Sequence, residues 1–301
     1  EIQGSKNAAL PILAACILHK GEIRLRGCPD IFDVNCMLDL MSFLGCEWKR
    51  EENTLIINTR NVENKFLLDR RVSEVRASVL FLGSLLGRFK EAVISYPGGC
   101  KIGKRPINYH LDAFEEMGAK IQIENDLVVC KAKQLKGTGI KLPFPSVGAT
   151  QNIILASVLA KGTTVLFNCA REPEIVNLCR FLKSMGAEIY GAGSDIISIH
   201  GTERLMDTDF LIDSDRIVVS TYASMVTATG GDITLKTNTS GQQNAVMRRL
   251  KEVGAVINEE ENKTRIQMKK RANPILYLET GPYPKFPTDA QSQFLALLCT
   301  A

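Results

Sequence analysis

No run of apolar residues in this chain reaches the roughly 18 that a membrane-spanning helix requires; the longest, around residues 77–87, is short and interrupted. There are only 3 histidines, and His19, His110 and His200 lie far apart without metal-type spacing. No metal centre is expected. No complete Gly-x-Gly-x-x-Gly or phosphate-loop lysine pattern occurs. The opening residues lack the charged, apolar and small-residue blocks of a secretory signal. Basic residues are not interleaved with aromatics, and a net charge of +4 is too small to argue for nucleic acid. It leans instead towards anionic ligands.

What is present fits a soluble globular protein. Hydrophobic residues make up 45% and charged residues 23% of a chain long enough for two domains with sizeable cores. The 9 cysteines are scattered, and an odd number cannot all pair within one chain. Free thiols in a reducing cytoplasm are expected.

Self-similarity organises the chain. Leu44-Gly45-Cys46-Glu47, Met117-Gly118-Ala119-Lys120, Met185-Gly186-Ala187-Glu188 and Val253-Gly254-Ala255-Val256 are variants of one signal, with glycines 73, 68 and 68 residues apart. Apolar residues precede the glycines at recurring offsets, as in Val34, Met37, Leu38, Met41, Leu44 and again in Ile175, Leu178, Cys179, Leu182, Met185. Steps of three and four residues trace one face of a helix, and glycine is a natural C-terminal stop. His110 falls on this repeated apolar face and reads as structural.

Each copy also carries an earlier apolar helix, over residues 7–21, 75–87, 148–162 and 218–230. A β-branched stretch follows it, as at 163–167 and 232–235, and two strand-like runs follow the second helix, as at 187–190 and 196–200. A unit of about 70 residues therefore reads helix, strand, helix, strand, strand. A sheet with helices on one face buries both apolar stripes, which predicts an α/β fold built of α+β repeats. A fifth unit opens at Phe286-Pro287-Thr288-Asp289 and runs into a helical stretch over 290–299. The spacing of the earlier copies would carry it further, so a second domain cut short is expected.

One unit differs where a loop enters its second helix: Tyr96-Pro97-Gly98-Gly99-Cys100-Lys101-Ile102-Gly103-Lys104-Arg105-Pro106. Three glycines let the backbone approach a ligand closely. The cations after Cys100 stabilise a thiolate and suit a phosphate-bearing substrate. A reactive thiol and an incidental cysteine on an exposed loop both fit this spacing. Gly4-Ser5-Lys6-Asn7 opens a helix, where amides and Lys6 can hold an anion; a plain helix cap is the simpler reading. Asp289 sits near a helix start, where capping is the default and proton transfer the alternative. Arg171-Glu172-Pro173-Glu174 reads as a charged helix start.

Taken together, these pieces resemble the enolpyruvyl transferase family, in particular its members that act on UDP-N-acetylglucosamine. The resemblance rests on Gly4-Ser5-Lys6-Asn7-Ala8-Ala9-Leu10-Pro11, the Pro97-Gly98-Gly99-Cys100 loop, Ser146-Val147-Gly148-Ala149-Thr150, Arg171-Glu172-Pro173-Glu174-Ile175 and Phe286-Pro287-Thr288-Asp289, in family order along the chain. It implies a two-domain inverse α/β barrel, with residues 6–213 as the first domain and residues 1–5 plus 214–301 as an incomplete second. It also implies transfer of the enolpyruvyl group of phosphoenolpyruvate to the sugar 3-hydroxyl, with loss of phosphate and no cofactor. By the same resemblance Lys6, Arg76 and Arg105 engage phosphoenolpyruvate or its phosphate, and Asn7 contacts the sugar. Cys100 helps protonate phosphoenolpyruvate, and Asp289 stands beside the 3-hydroxyl. Arg105, Pro106, Ser146, Val147 and Gly148 line the nucleotide end.

The sequence departs from the family at several positions. Asn108 and Val218 stand where acidic residues are usual, and Lys101 and Lys104 make the loop more basic. Two rival readings follow: a truncated, non-catalytic UDP-sugar-binding paralogue, and the related transferase acting on shikimate 3-phosphate. The Gly-Gly-Cys loop argues against the second. No membrane or nucleic-acid partner is expected, and the sequence names no protein partner.

Overall fold

A computed structural model of the chain describes residues 1–68, 71–96, 106–239 and 241–301. It contains two compact units, one formed by Lys6–Ile212 and the other by Glu1–Ser5 with Asp213–Ala301.

The larger unit holds three copies of the repeat. The first runs α1 (Lys6–Cys16), β1 (Glu22–Arg26), α2 (Phe32–Phe43), β2 (Glu47–Glu51) and β3 (Thr54–Asn58). The second begins with α3 (Arg71–Glu74) and a 3-10 turn, Arg76–Val79. It continues through α4 (Leu80–Phe89), β4 (Glu91–Ser95), α5 (Asn108–Glu116), β5 (Lys120–Glu124) and β6 (Leu127–Lys131). After β7 (Gly139–Lys141), the third copy comprises α6 (Val147–Ser157), β8 (Thr163–Phe167), α7 (Pro173–Ser184), β9 (Glu188–Tyr190) and β10 (Ile196–His200), and β11 (Thr208–Leu211) closes the unit.

The amphipathic helices stop where the repeat predicts. Gly45, Gly118 and Gly186 have φ of 100°, 94° and 94°, a left-handed conformation that only glycine adopts without strain. The earlier helices are apolar on every side and are buried accordingly: Ala8–Cys16 in α1, Leu80–Gly87 in α4 and Ala149–Ser157 in α6 lie within the core. The helix expected over 75–87 is instead two pieces, the 3-10 turn and α4.

Each copy folds into its own antiparallel sheet with the third strand central, in the orders β1-β3-β2, β4-β6-β5 and β8-β10-β9. Chain leaving one copy then adds, in parallel, to the first strand of another. Leu67 bridges Ile94 of β4, β7 pairs with β8 through Ile140↔Leu166, and β11 returns to β1 through Leu25↔Phe210. The three sheets are thereby linked cyclically around the internal helices, and an otherwise open edge of each is occupied.

The smaller unit repeats the pattern once, with α8 (Arg216–Thr229), β12 (Gly231–Lys236), α9 (Asn244–Glu252), β13 (Val256–Glu260) and β14 (Lys263–Met268), the sheet order being β12-β14-β13. A 3-10 turn, Thr288–Ala290, leads into α10 (Gln291–Leu298), which packs on α8. Its core includes Val219, Ala223, Leu250, Ile266 and Phe294, and Phe286 meets Phe294 edge-on at 5.3 Å. The N-terminal strand segment is tied in by Ile2 N–H to the Lys236 carbonyl and Asp215 N–H to the Gln3 carbonyl, each 2.9 Å. Asp215 caps α8, its Oδ1 accepting from the amides of Ile217 and Val218 at 2.8 and 3.2 Å. Val218 packs, partly buried, against this core.

Candidate active site

Ser146-Val147-Gly148 begins the third copy's internal helix. Ser146 is extended and is the N-cap of α6, its Oγ accepting from the Ala149 amide at 3.3 Å. Val147 and Gly148 form the first turn and are half-buried. Amides in a helix's first turn lack intrahelical partners and carry partial positive charge, which suits an anionic ligand.

His110 of α5 lies against that turn. A β-carbon at Gly148 would sit 3.3 Å from its Cε1 and 3.4 Å from its Nε2. His110 is buried, and its pKa is held down to about 4, first by burial and then by the Arg76 guanidinium. Arg76 opens the 3-10 turn and is half-buried. The fold thus brings together Arg76, His110 and the first turn of α6.

The residue that joins them is Asn152 of α6, fully buried and not singled out in the sequence reading. Its Nδ2 donates to the Val79 carbonyl at 2.9 Å and to His110 Nδ1 at 2.8 Å, while its Oδ1 accepts from the Gly83 amide at 2.8 Å. The carboxamide therefore bonds both the amide of residue 83 and the carbonyl of residue 79, the two groups at the first turn of α4. It thereby braces the junction at which the 3-10 turn runs, with right-handed backbone at Val79 and Leu80, into α4. A sequence signal exists: Gln151-Asn152 is a polar pair inside an apolar helix, and such a residue must find partners when buried.

Lys6 is the first residue of α1, and its Nζ lies 3.6 Å from Asp33 Oδ2 on α2, both side chains partly exposed. Asn7 follows, half-buried. Pro106 is exposed just ahead of Ile107, the N-cap of α5, and Asn108 is that helix's exposed first residue. Cys100 and Arg105, with Lys101 and Lys104, lie outside the described residues. Asp289 is exposed within the 3-10 turn of the smaller unit, one residue before Ala290, the N-cap of α10. Glu172 and Pro173 begin α7 as expected.

Eight of the cysteines lie among the described residues. Cys16, Cys28, Cys36, Cys46, Cys130, Cys169 and Cys179 are buried, and burial raises the pKa of each; Cys299 is exposed. Among the described residues no cluster of histidine, cysteine and carboxylate side chains fits a metal ion. No helix of the described residues is long and apolar enough to cross a membrane. His19, buried, bonds through Nε2 to Asp207 Oδ1 at 2.6 Å, which holds the Asp207 carboxyl below its ordinary range.

A protein-family model described as EPSP synthase (3-phosphoshikimate 1-carboxyvinyltransferase) matches residues 1–301. A UDP-N-acetylglucosamine 1-carboxyvinyltransferase of Psychrobacter arcticus is 42% identical over 303 residues, covering 100% of this chain and 72% of that protein. The chain belongs to the enolpyruvyl transferase family. A relative of the same name from Ruthia magnifica is 44% identical over 98% of this chain and 70% of its own length. Among solved structures, the enolpyruvyl transferase NikO of Streptomyces tendae superposes with a TM-score of 0.87 at 18% identity, over 100% of this chain and 72% of that one. An EPSP synthase of Acinetobacter baumannii gives 0.74 at 21% identity, over 99% and 68%. These likenesses establish the fold of this enolpyruvyl transferase as the family's inverse α/β barrel architecture, with internal helices and outer sheets.

Proposed function

We propose that this enolpyruvyl transferase moves the enolpyruvyl group of phosphoenolpyruvate to the 3-hydroxyl of UDP-N-acetylglucosamine and releases phosphate. The observation that carries the reading is the 42% identity, across the whole chain, to a relative named for that reaction, against 21% to an EPSP synthase. The Gly98-Gly99-Cys100 sequence supports the same choice of substrate. The setting is the cytoplasm and the committed step of peptidoglycan synthesis.

In this reading Cys100 delivers a proton to the methylene carbon of phosphoenolpyruvate, and the adjacent carbon becomes electrophilic. The sugar 3-hydroxyl oxygen bonds to that carbon while Asp289 takes the hydroxyl proton. Loss of a methyl proton and of phosphate restores the double bond. Lys6, Arg76 and Arg105 hold the phosphate as charge develops on it, the step where fixed cations contribute most. Asn7 orients the sugar; Pro106, Ser146, Val147 and Gly148 receive the nucleotide, the first turn of α6 offering its amides to the phosphates.

The test is phosphate release by the full-length protein, measured with both substrates and with each omitted. Release that requires both is expected. Binding of the nucleotide sugar without release would overturn catalysis in favour of a non-catalytic UDP-sugar-binding role. Release that depends on shikimate 3-phosphate would reassign the acceptor.

A further inference from the structure

We infer that Asn152 is a positioning residue that fixes His110 as the neutral Nε2–H tautomer against the first turn of α6 and pins the turn carrying Arg76. The orientation of its carboxamide is set by backbone groups whose roles cannot change. The Gly83 amide can only donate and the Val79 carbonyl can only accept. Oδ1 must therefore face Gly83, and one Nδ2 hydrogen goes to Val79. The second Nδ2 hydrogen points at His110 Nδ1, 2.8 Å away, which must accept it. With Nδ1 acting as acceptor, the ring proton resides on Nε2, on the edge that meets Gly148. An imidazolium is disfavoured from three directions: the Asn152 donor at Nδ1, the Arg76 charge, and the positive end of α6.

One side chain thus sets the protonation of His110 and the geometry of two backbones. Gly83 belongs to the same device, because a β-carbon there would lie 2.3 Å from Asn152 Oδ1 and 2.4 Å from its carbonyl oxygen. The inference deepens the proposed function, since Arg76 and the first turn of α6 are assigned there to phosphoenolpyruvate and the nucleotide.

Its test is a long-range nitrogen–proton NMR spectrum of histidine-labelled protein at neutral pH, with His110 assigned by loss of its signals in His110→Gln. The expected result is a neutral ring protonated at Nε2. A ring protonated at Nδ1, or at both nitrogens, would overturn the inference, and neither readout depends on turnover. In Asn152→Asp, Oδ1 can still accept from Gly83, but the second oxygen faces His110 Nδ1 without a hydrogen. The Nδ1 atom should then acquire a proton, and calorimetric affinity for UDP-N-acetylglucosamine should fall about tenfold. A folded Asn152→Asp protein with the wild-type tautomer and affinity would reject the positioning role. If that variant does not fold, the wild-type spectrum still decides. If wild-type protein fails to bind the nucleotide sugar while His110 shows the Nε2–H form, the functional reading falls and the tautomer assignment stands.

Discussion

Replacing Gly83 with alanine sets helix propensity against packing. Gly83 lies inside α4 with an ordinary right-handed conformation, so propensity alone favours alanine by about 1 kcal/mol. The new β-carbon, however, would meet Asn152 Oδ1 at 2.3 Å, the Asn152 carbonyl oxygen at 2.4 Å and Leu155 Cβ at 3.2 Å. Two of these atoms belong to a fully buried residue, and one is backbone, so α4 and α6 must separate. Overpacking of a close-packed core costs about 1–3 kcal/mol. Weakening the Gly83 N–H bond to Asn152 leaves a buried donor short of its partner, roughly a further 1–3 kcal/mol. Against the propensity gain, the net is a destabilisation of about 3 kcal/mol, which for a unit of this size lowers Tm by roughly 10 °C. Thermal unfolding followed by circular dichroism checks this. Adding Asn152→Ala should not restore the loss, because the backbone oxygen of residue 152 stays in place. A Gly83→Ala protein as stable as wild type, or more stable, would refute the close approach of the two helices and the reasoning from it.

Other outcomes follow from the same geometry. The folded-state pKa of His110, about 4, lies below that of an unfolded histidine, so its contribution to stability is complete above about pH 6.5 and is lost as pH falls towards 4. The loss is roughly 3 kcal/mol between those limits, and denaturant unfolding at both ends should show a shallower pH dependence in His110→Gln; equal slopes would refute the assignment. A phosphoenolpyruvate-like epoxide should modify Cys100 ahead of Cys299, and the seven buried thiols only after unfolding, as read by peptide mass spectrometry. Equal labelling of Cys100 and Cys299 would remove the special role of the loop thiol. Asp289→Ala should abolish phosphate release while nucleotide-sugar affinity, measured by calorimetry, stays within about threefold; retained turnover would reject its proton role.

Much of the fold is local and therefore legible. The three-and-four spacing before Gly186 marks α7, and the positive φ of that glycine is the stop which the spacing implies. The β-branched run at Thr163–Phe167 and the run Ile196–His200 are strands with the bounds that the sequence suggests. Pairing is another matter. Nothing in β11 announces that it will lie parallel to β1, nearly the whole unit away in sequence, or that the third strand of each copy will be central. Periodicity tells a segment which face to bury, but it does not name the partner that covers it.

The site divides in the same way. Composition and spacing mark the cation-rich loop around Cys100 and the helix start at Lys6, because chemistry of that kind shows in the residue types themselves; the Ser146-Val147-Gly148 turn enters only through the family resemblance. They read His110 as part of an apolar face, which its burial agrees with, yet they give no hint of its bond to Asn152. That bond joins two helices from different copies of the repeat, and the same carboxamide bonds to the first turn of a third. The sequence by itself determined the repeat, its elements and the residue types that suit enolpyruvyl transfer. Only the tertiary structure decided which internal helices touch, which groups the buried Asn152 carboxamide meets and which nitrogen of His110 carries the proton. Those outcomes depend on hydrogen bonds between residues dozens of positions apart, and no local pattern encodes such a pairing.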